Sequence, residues 1–133
     1  MDTMGYQHYK EQSVNTMTQG ELLLLLYDEL VKRILRAGLA LDKSDFALFE
    51  ASVDRCVDII HYLDDTLDRQ YPIGQDLARL YEFFCYELSR IKAGRNRTEL
   101  ERIKPMLTDL RDAFRTADKT CGSELSEAQH GSQ

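Results

Sequence analysis

Asp58 and His61 have the residue types and the spacing of a metal-ligating pair. Residues three positions apart lie on the same face of a helix, and bundle proteins build two-metal sites from acidic–histidine pairs of this spacing. Such a site needs the pair on two helices and further carboxylates from the others, whereas the predicted helices of this chain supply the pair once. The sequence therefore predicts no metal site and no cofactor.

Signatures of catalysis are also missing from the sequence. It contains no glycine-rich phosphate loop and no motif typical of a serine, histidine and aspartate triad. Acidic neighbours such as Asp64 and Asp65 are typical of a solvated helix face rather than of a catalytic pair. The sequence predicts that the protein is not an enzyme.

The composition of the chain indicates its cellular compartment and excludes some classes of partner. The chain has 133 residues, enough for one domain, and 17 basic against 23 acidic residues give a net charge of −6. This charge argues against nucleic acid as a partner, and no apolar run is long enough for membrane insertion. Three cysteines do not form a disulfide framework, and no signal peptide is recognisable. We therefore expect a protein of the reducing cytosol.

The sequence predicts four helices, which would hold the residues of any functional site. Apolar residues recur at steps of three and four in segments 19–41, 45–69, 73–93 and 98–118. Capping-box pairs predict the starts of the first and fourth helices, Thr18 with Glu21 and Thr98 with Glu101. Ser44 or Asp45 is the predicted N-cap of the second helix. Short connections between long helices favour an all-α fold, an antiparallel four-helix bundle.

The bundle is predicted to span residues 18–118, between an N-terminal leader and a C-terminal tail that differ in character. Residues 119–133 are polar and aperiodic and predict a disordered tail. The leader, residues 1–17, carries Tyr6 and Tyr9 among polar residues. Because aromatic side chains bury much area at low entropy cost, we expect the leader to dock in a groove of the bundle.

The first helix is more apolar than one buried face requires. Seven of the nine residues from Leu22 to Leu30 are apolar. Such a helix is either buried on most sides or prepared for a partner. One interpretation is a structural or regulatory bundle that homodimerises through this helix. A monomer that gains stability only with a specific peptide would contradict that interpretation.

Motifs along the chain also form a family pattern. In order they are Tyr9, Ser13-Val14-Asn15-Thr16, Gly20-Glu21-Leu22, Leu26-Tyr27-Asp28, Ile59-Ile60 with Leu63 and Leu67, Asp76-Leu77, Leu80-Tyr81-Glu82-Phe83-Phe84 with Leu88, and Leu110-Arg111-Asp112-Ala113-Phe114. Their order and spacing resemble the flagellin-specific export chaperones, the FliS family, over residues 6–118. The chain departs from that family most clearly at Tyr86 and Glu87, where two arginines are usual.

The resemblance implies a cytosolic chaperone for the C-terminal segment of flagellin. Such a protein prevents premature polymerisation and helps deliver flagellin to the flagellar type III export apparatus. Export-gate and regulatory proteins are further candidate partners. The resemblance also implies that the leader acts as a lid over part of the client surface. Our candidates for this lid and groove are Tyr6, Tyr9 and Val14 in the leader, and Leu26, Tyr27, Leu77, Tyr81, Phe84 and Leu88 in the helices.

Overall fold

The fold is an all-α antiparallel bundle of four helices, as predicted. The computed structural model describes residues 17–120, with side chains as far as Ala117. The helices are α1 (Gln19–Asp42), α2 (Phe46–Asp65), α3 (Pro72–Gly94) and α4 (Arg97–Thr120). Within this described part there is no strand, and none of the helices is long and apolar enough to cross a membrane. The predicted docking of the leader and most of the predicted disordered tail fall outside the described residues.

Side-chain caps determine where the helices begin. Thr18 caps α1 by accepting a hydrogen bond from the Glu21 backbone N–H at 3.1 Å, as its capping-box position predicted. At the start of α2, Asp45 accepts from the Leu48 backbone N–H at 3.1 Å. This bond selects Asp45 over the other predicted N-cap, Ser44.

The predicted start of the fourth helix at Thr98 is wrong. The Asn96 side chain accepts from the Glu99 backbone N–H at 3.0 Å, and α4 begins at Arg97. Asparagine caps a helix as well as threonine does, and Asn96 captures the free backbone donors two residues earlier. Glu101 instead forms ion pairs with Arg97 and Lys104.

The second helix ends at Asp65, four residues before its predicted end at 69. The Thr66 hydroxyl donates to the Leu63 carbonyl at 2.9 Å, and the Asp68 carboxylate accepts from the Gln70 backbone N–H at 2.9 Å. These side chains satisfy backbone groups in a non-helical turn, so the helix ends there. The apolar spacing continues beyond Asp65, and the predicted helix was therefore too long.

The core lies along the axis of the bundle and is dominated by large apolar side chains. The α1 helix packs on α2 and α4, and α3 completes the bundle against the same two helices. The α3–α4 contact is the least extensive of the four. The largest fully buried side chains include Tyr27, Phe49, Ile60, Tyr81, Phe84 and Leu88.

A basic cluster around the α3–α4 connection is largely neutralised by ion pairs; its members are Lys92, Arg95, Arg97, Arg102 and Lys104. Lys92 pairs with Asp54 at 2.8 Å, and Arg97 with Asp42 at 3.1 Å. Arg95, in the left-handed backbone region, places its guanidinium 3.7 Å from the centre of the Phe46 ring. The cluster therefore ties helices together instead of forming a free basic patch.

Candidate functional site: a groove between α2 and α3

Two adjoining cavities, of about 450 and 560 Å³, lie between α2 and α3 and share His61 and Cys85. Together they form what we call the α2/α3 groove. The first is lined by Ile60, His61, Asp64, Arg69, Ala78, Arg79, Tyr81, Glu82 and Cys85. The second is lined by Val53, Asp54, Val57, Asp58, His61, Cys85, Leu88, Ser89 and Lys92.

The floor of the groove is apolar. Ile60, Tyr81 and Leu88 lie at the floor with almost no exposed surface. Val57 and Ala78 pack against the same core but remain partly exposed to the groove. Such a floor offers apolar contact to a segment lying along the two helices.

The rim of the groove is charged on both sides, and part of this charge is paired, whereas Asp58 and Glu82 form no ion pair among the described residues. Lys92 pairs with Asp54 across the helices at 2.8 Å, and this hydrogen bond raises the pKa of the Lys92 ammonium group. At the other end, Arg69 pairs with Asp64 at 2.9 Å. An apolar floor between charged rims suits an amphipathic ligand better than a small ionic one.

The groove has no arrangement typical of catalysis or metal binding. Asp58 and His61 both line it, but among the described residues no group of three histidines, cysteines or acidic residues lies close enough to hold a metal ion. Burial raises the pKa of the Cys85 thiol, and the nearby Asp64 raises it further. A thiol that stays protonated is a poor nucleophile.

The structure separates the candidate site residues that the sequence grouped together. Tyr81 and Leu88 form part of the groove floor. Tyr27, Leu77 and Phe84 lie in the core with no more than 4% of their surface exposed, and they do not line the α2/α3 groove. Leu26 is half-buried against the core. The leader candidates Tyr6, Tyr9 and Val14 lie outside the described residues.

Several exposed or groove-lining residues were not predicted as site residues. Val57, Ala78 and Cys85 line the groove, yet each stands beside a core position and is typical of a helix interior. Phe83 and Tyr86 expose 41% and 62% of their surface on α3. The groove-lining and the exposed residues alike lie at the margin of the apolar stripe of their helix. Periodicity alone does not separate core from surface positions there.

Comparison with known proteins decides the family. A family model described as Flagellar protein FliS matches residues 2–121 of this chain. The chain belongs to this family. The Flagellar secretion chaperone FliS of Bacillus subtilis (strain 168) is 30% identical over 112 residues, which are 84% of this chain and 84% of that protein. The resemblance inferred from the motifs is thereby confirmed.

Proposed function

We propose that this protein is a cytosolic export chaperone for flagellin. In this proposal it binds the C-terminal segment of flagellin, prevents premature polymerisation and aids delivery to the flagellar type III export apparatus. The observation that carries the proposal is the family match, which spans nearly the whole bundle, together with the relative's description as a flagellar secretion chaperone.

The α2/α3 groove supports this role physically. An unassembled filament subunit has an amphipathic terminal segment whose apolar surface is unburied before assembly. Helix-in-groove recognition buries such a surface between two helices. On α2 the lining of the groove runs from Val53 to Asp64, 11 residue steps of helix, which corresponds to about 17 Å. That length accommodates several turns of a client helix.

The contacts in the groove also suggest how a client is held. Ordering a disordered segment costs free energy, so binding requires apolar contacts that offset this cost. Val57, Ala78 and Cys85 supply partly exposed apolar surface above a rigid floor. The Asp54–Lys92 ion pair joins α2 to α3 at the rim, and its charges need no compensation from the client.

The experiment is calorimetric titration of the full chain with a flagellin C-terminal peptide. Cys85→Trp fills the point that both cavities share, and we expect it to weaken binding about tenfold or more, corresponding to about 1.4 kcal/mol. Leu39→Trp is the matched control, because Leu39 is 59% exposed on α1, away from the groove. The chain contains no tryptophan, so each variant also reports its own environment by fluorescence.

Two results would contradict the proposal. One is the absence of flagellin binding by the folded wild-type chain, which would remove the chaperone function itself. The other is equal binding by both tryptophan variants, which would remove the groove as the site. His61→Trp serves if Cys85→Trp fails to fold, because His61 is exposed and also lines both cavities.

A further inference from the structure

The basic side chains without an ion pair are concentrated on one side of the molecule. Within residues 17–117, lysines and arginines with no carboxylate inside ion-pairing distance are Lys32, Arg36, Lys43, Arg55 and Arg95. Arg95 stacks on Phe46. The other four belong to α1, its C-terminal cap and the neighbouring helix α2.

Three of the four acidic residues of α1 have an ion-pair partner, and the fourth, Glu21, lies in the first turn, ahead of the basic residues Lys32, Arg36 and Lys43. Asp28 pairs with Arg115 of α4 at 3.3 Å, Glu29 with Arg33 at 2.7 Å, and Asp42 with Arg97 at 3.1 Å. The pairs of Asp28 and Asp42 lie at the seam with α4, whereas the pair of Glu29 lies within α1. The outward side of α1 therefore keeps an excess of positive charge in a chain whose net charge is −6.

Exposed leucines accompany this charge. Leu25, Leu35 and Leu39 expose 41%, 45% and 59% of their surface. Leu25, Lys32 and Leu39 are seven residues apart, so they form one line along the helix, with Arg36 and Lys43 beside it. We call the residues Leu25, Lys32, Leu35, Arg36, Leu39 and Lys43 the α1 outer face.

We propose that the α1 outer face is a second docking surface, for an acidic amphipathic helix of a partner protein. The apolar side of that helix contacts the three leucines, and its Asp or Glu residues lie opposite Lys32, Arg36 and Lys43. The face spans 18 residue steps of helix, about 27 Å, which corresponds to about five turns of partner helix. Charge complementarity of this kind sets orientation and excludes wrong partners.

The charges favour this occupant over two others. In a symmetric antiparallel dimer the same patch would meet its own copy, so Lys32 and Arg36, near the middle of the face, would face like charges. An anionic membrane would attract the patch but repel the net charge of −6 carried by the whole chain. An acidic helix on a single partner meets neither obstacle. The α1 outer face shares no residue with the lining of the α2/α3 groove, so it does not depend on the proposed flagellin site.

The test measures binding of a labelled synthetic helix to the full chain by fluorescence anisotropy. The probe is a peptide of about three heptads with leucine at the seam and glutamate beside it, and the control peptide carries lysine in place of each glutamate. We expect the glutamate peptide to bind, more weakly as salt is added, and the lysine peptide to bind at least about tenfold more weakly.

Matched variants then locate the site. Arg36→Glu should weaken binding of the glutamate peptide about tenfold, whereas Arg102→Glu, the same charge change on α4, should alter it less than about twofold. The Arg102 side chain is 69% exposed and pairs only locally with Glu99. Leu39→Ser removes the most exposed leucine and should also weaken binding, while leaving the thermal melt unchanged.

Several outcomes would overturn the proposal. Two concern the probe: Arg36→Glu and Arg102→Glu change its binding equally, or the glutamate and lysine peptides bind equally well. Two concern other occupants: the wild-type chain forms a dimer that Leu39→Ser abolishes, or the chain binds phosphatidylglycerol vesicles more tightly than the glutamate peptide. Displacement of the probe by the flagellin peptide would show that the two surfaces are one. Loss of flagellin binding with the probe still bound would count against the proposed function alone.

Discussion

The hydroxyl groups of Tyr27 and Tyr81 hydrogen-bond to each other inside the core, joining α1 to α3. Neither residue exposes more than 1% of its surface, and the Tyr27 ring lies 4.7 Å from the Phe114 ring of α4. Burial raises the pKa of both phenols, so both stay protonated and one hydroxyl donates to the other. Tyr27 thus contacts α3 through its hydroxyl and α4 through its ring.

Removing one hydroxyl of this pair should reduce stability by more than the loss of the hydrogen bond alone, because the other hydroxyl stays buried without this partner. Tyr81→Phe deprives the buried Tyr27 hydroxyl of this partner, and we expect a loss of about 1–3 kcal/mol in the free energy of unfolding. Tyr27→Phe/Tyr81→Phe should cost less than the sum of the two single changes, because no hydroxyl remains to be satisfied. Urea denaturation of the four proteins measures this coupling.

The control is Tyr62→Phe, since Tyr62 is 44% exposed and its hydroxyl can be hydrated. It should change the stability by less than about 0.5 kcal/mol. Strict additivity of the two core changes would show that the hydroxyls act independently.

Two glycines of α3 should respond oppositely to alanine. A Cβ at Gly74 would lie 2.1 Å from the Asp68 backbone carbonyl oxygen, whereas one at Gly94 meets nothing within 4 Å. Gly74→Ala should therefore cost about 1–3 kcal/mol, since the connection after α2 has to move. Gly94→Ala should be neutral or stabilise by up to about 1 kcal/mol. Thermal melts of both variants check this; equal shifts would contradict it.

The Cys56 thiol should make the protein less stable at alkaline pH. Burial raises its pKa from 9.0 to about 12 in the folded state. A raised pKa gives stability that is fully present below pH 9 and is lost as the pH rises toward 12. At about pH 10.5 this single group should account for a loss of about 2 kcal/mol relative to pH 7.

Comparison of Cys56→Ala with the wild type isolates this contribution. The variant should start less stable at pH 7, because it leaves a small cavity, but should lose less stability between pH 7 and pH 10.5. Cys85→Ala is the matched control, since Cys85 is only half-buried and its effect should be smaller. Identical pH profiles for the wild type and Cys56→Ala would show that the thiol is not protected by burial.

The sequence predicted the helices well because their signals are local. Thr18 and Asp45 act through backbone groups three residues away, so their roles as caps were readable without the fold. The end of α2 was missed because Thr66 and Asp68 satisfy the backbone through turn geometry that apolar spacing does not encode.

The candidate site was less predictable, because core and groove positions share one periodicity. Phe84 and Leu88 are both fully buried, yet only Leu88 borders the α2/α3 groove. Which residues border it depends on the separation of α2 and α3, a property of the packed bundle. Neither the groove nor the unpaired charge on α1 is recognisable before the partners of each residue are known.

The leader prediction can be tested at Tyr9, which lies outside the described residues. We expect Tyr9→Ala to weaken flagellin binding by about 1–3 kcal/mol, the range of a strong aromatic contact at an interface. The competing effect has the opposite sign: if Tyr9 only blocked the client site, its removal would tighten binding by at most the free energy of leader docking. We favour weaker binding, since almost any apolar side chain could serve merely to block a groove.

Deletion of residues 1–8 separates Tyr9 from its neighbour. That deletion removes Tyr6 and keeps Tyr9, so it should reduce flagellin affinity less than Tyr9→Ala does. Calorimetric titration gives the affinity, and a thermal melt of each free protein shows whether the leader contributes to its stability. If Tyr9→Ala changes neither the affinity nor the melting temperature, the leader does not contact the bundle or the client. The assignment of Tyr9 to the binding site then fails, while the α2/α3 groove remains to be judged by Cys85→Trp.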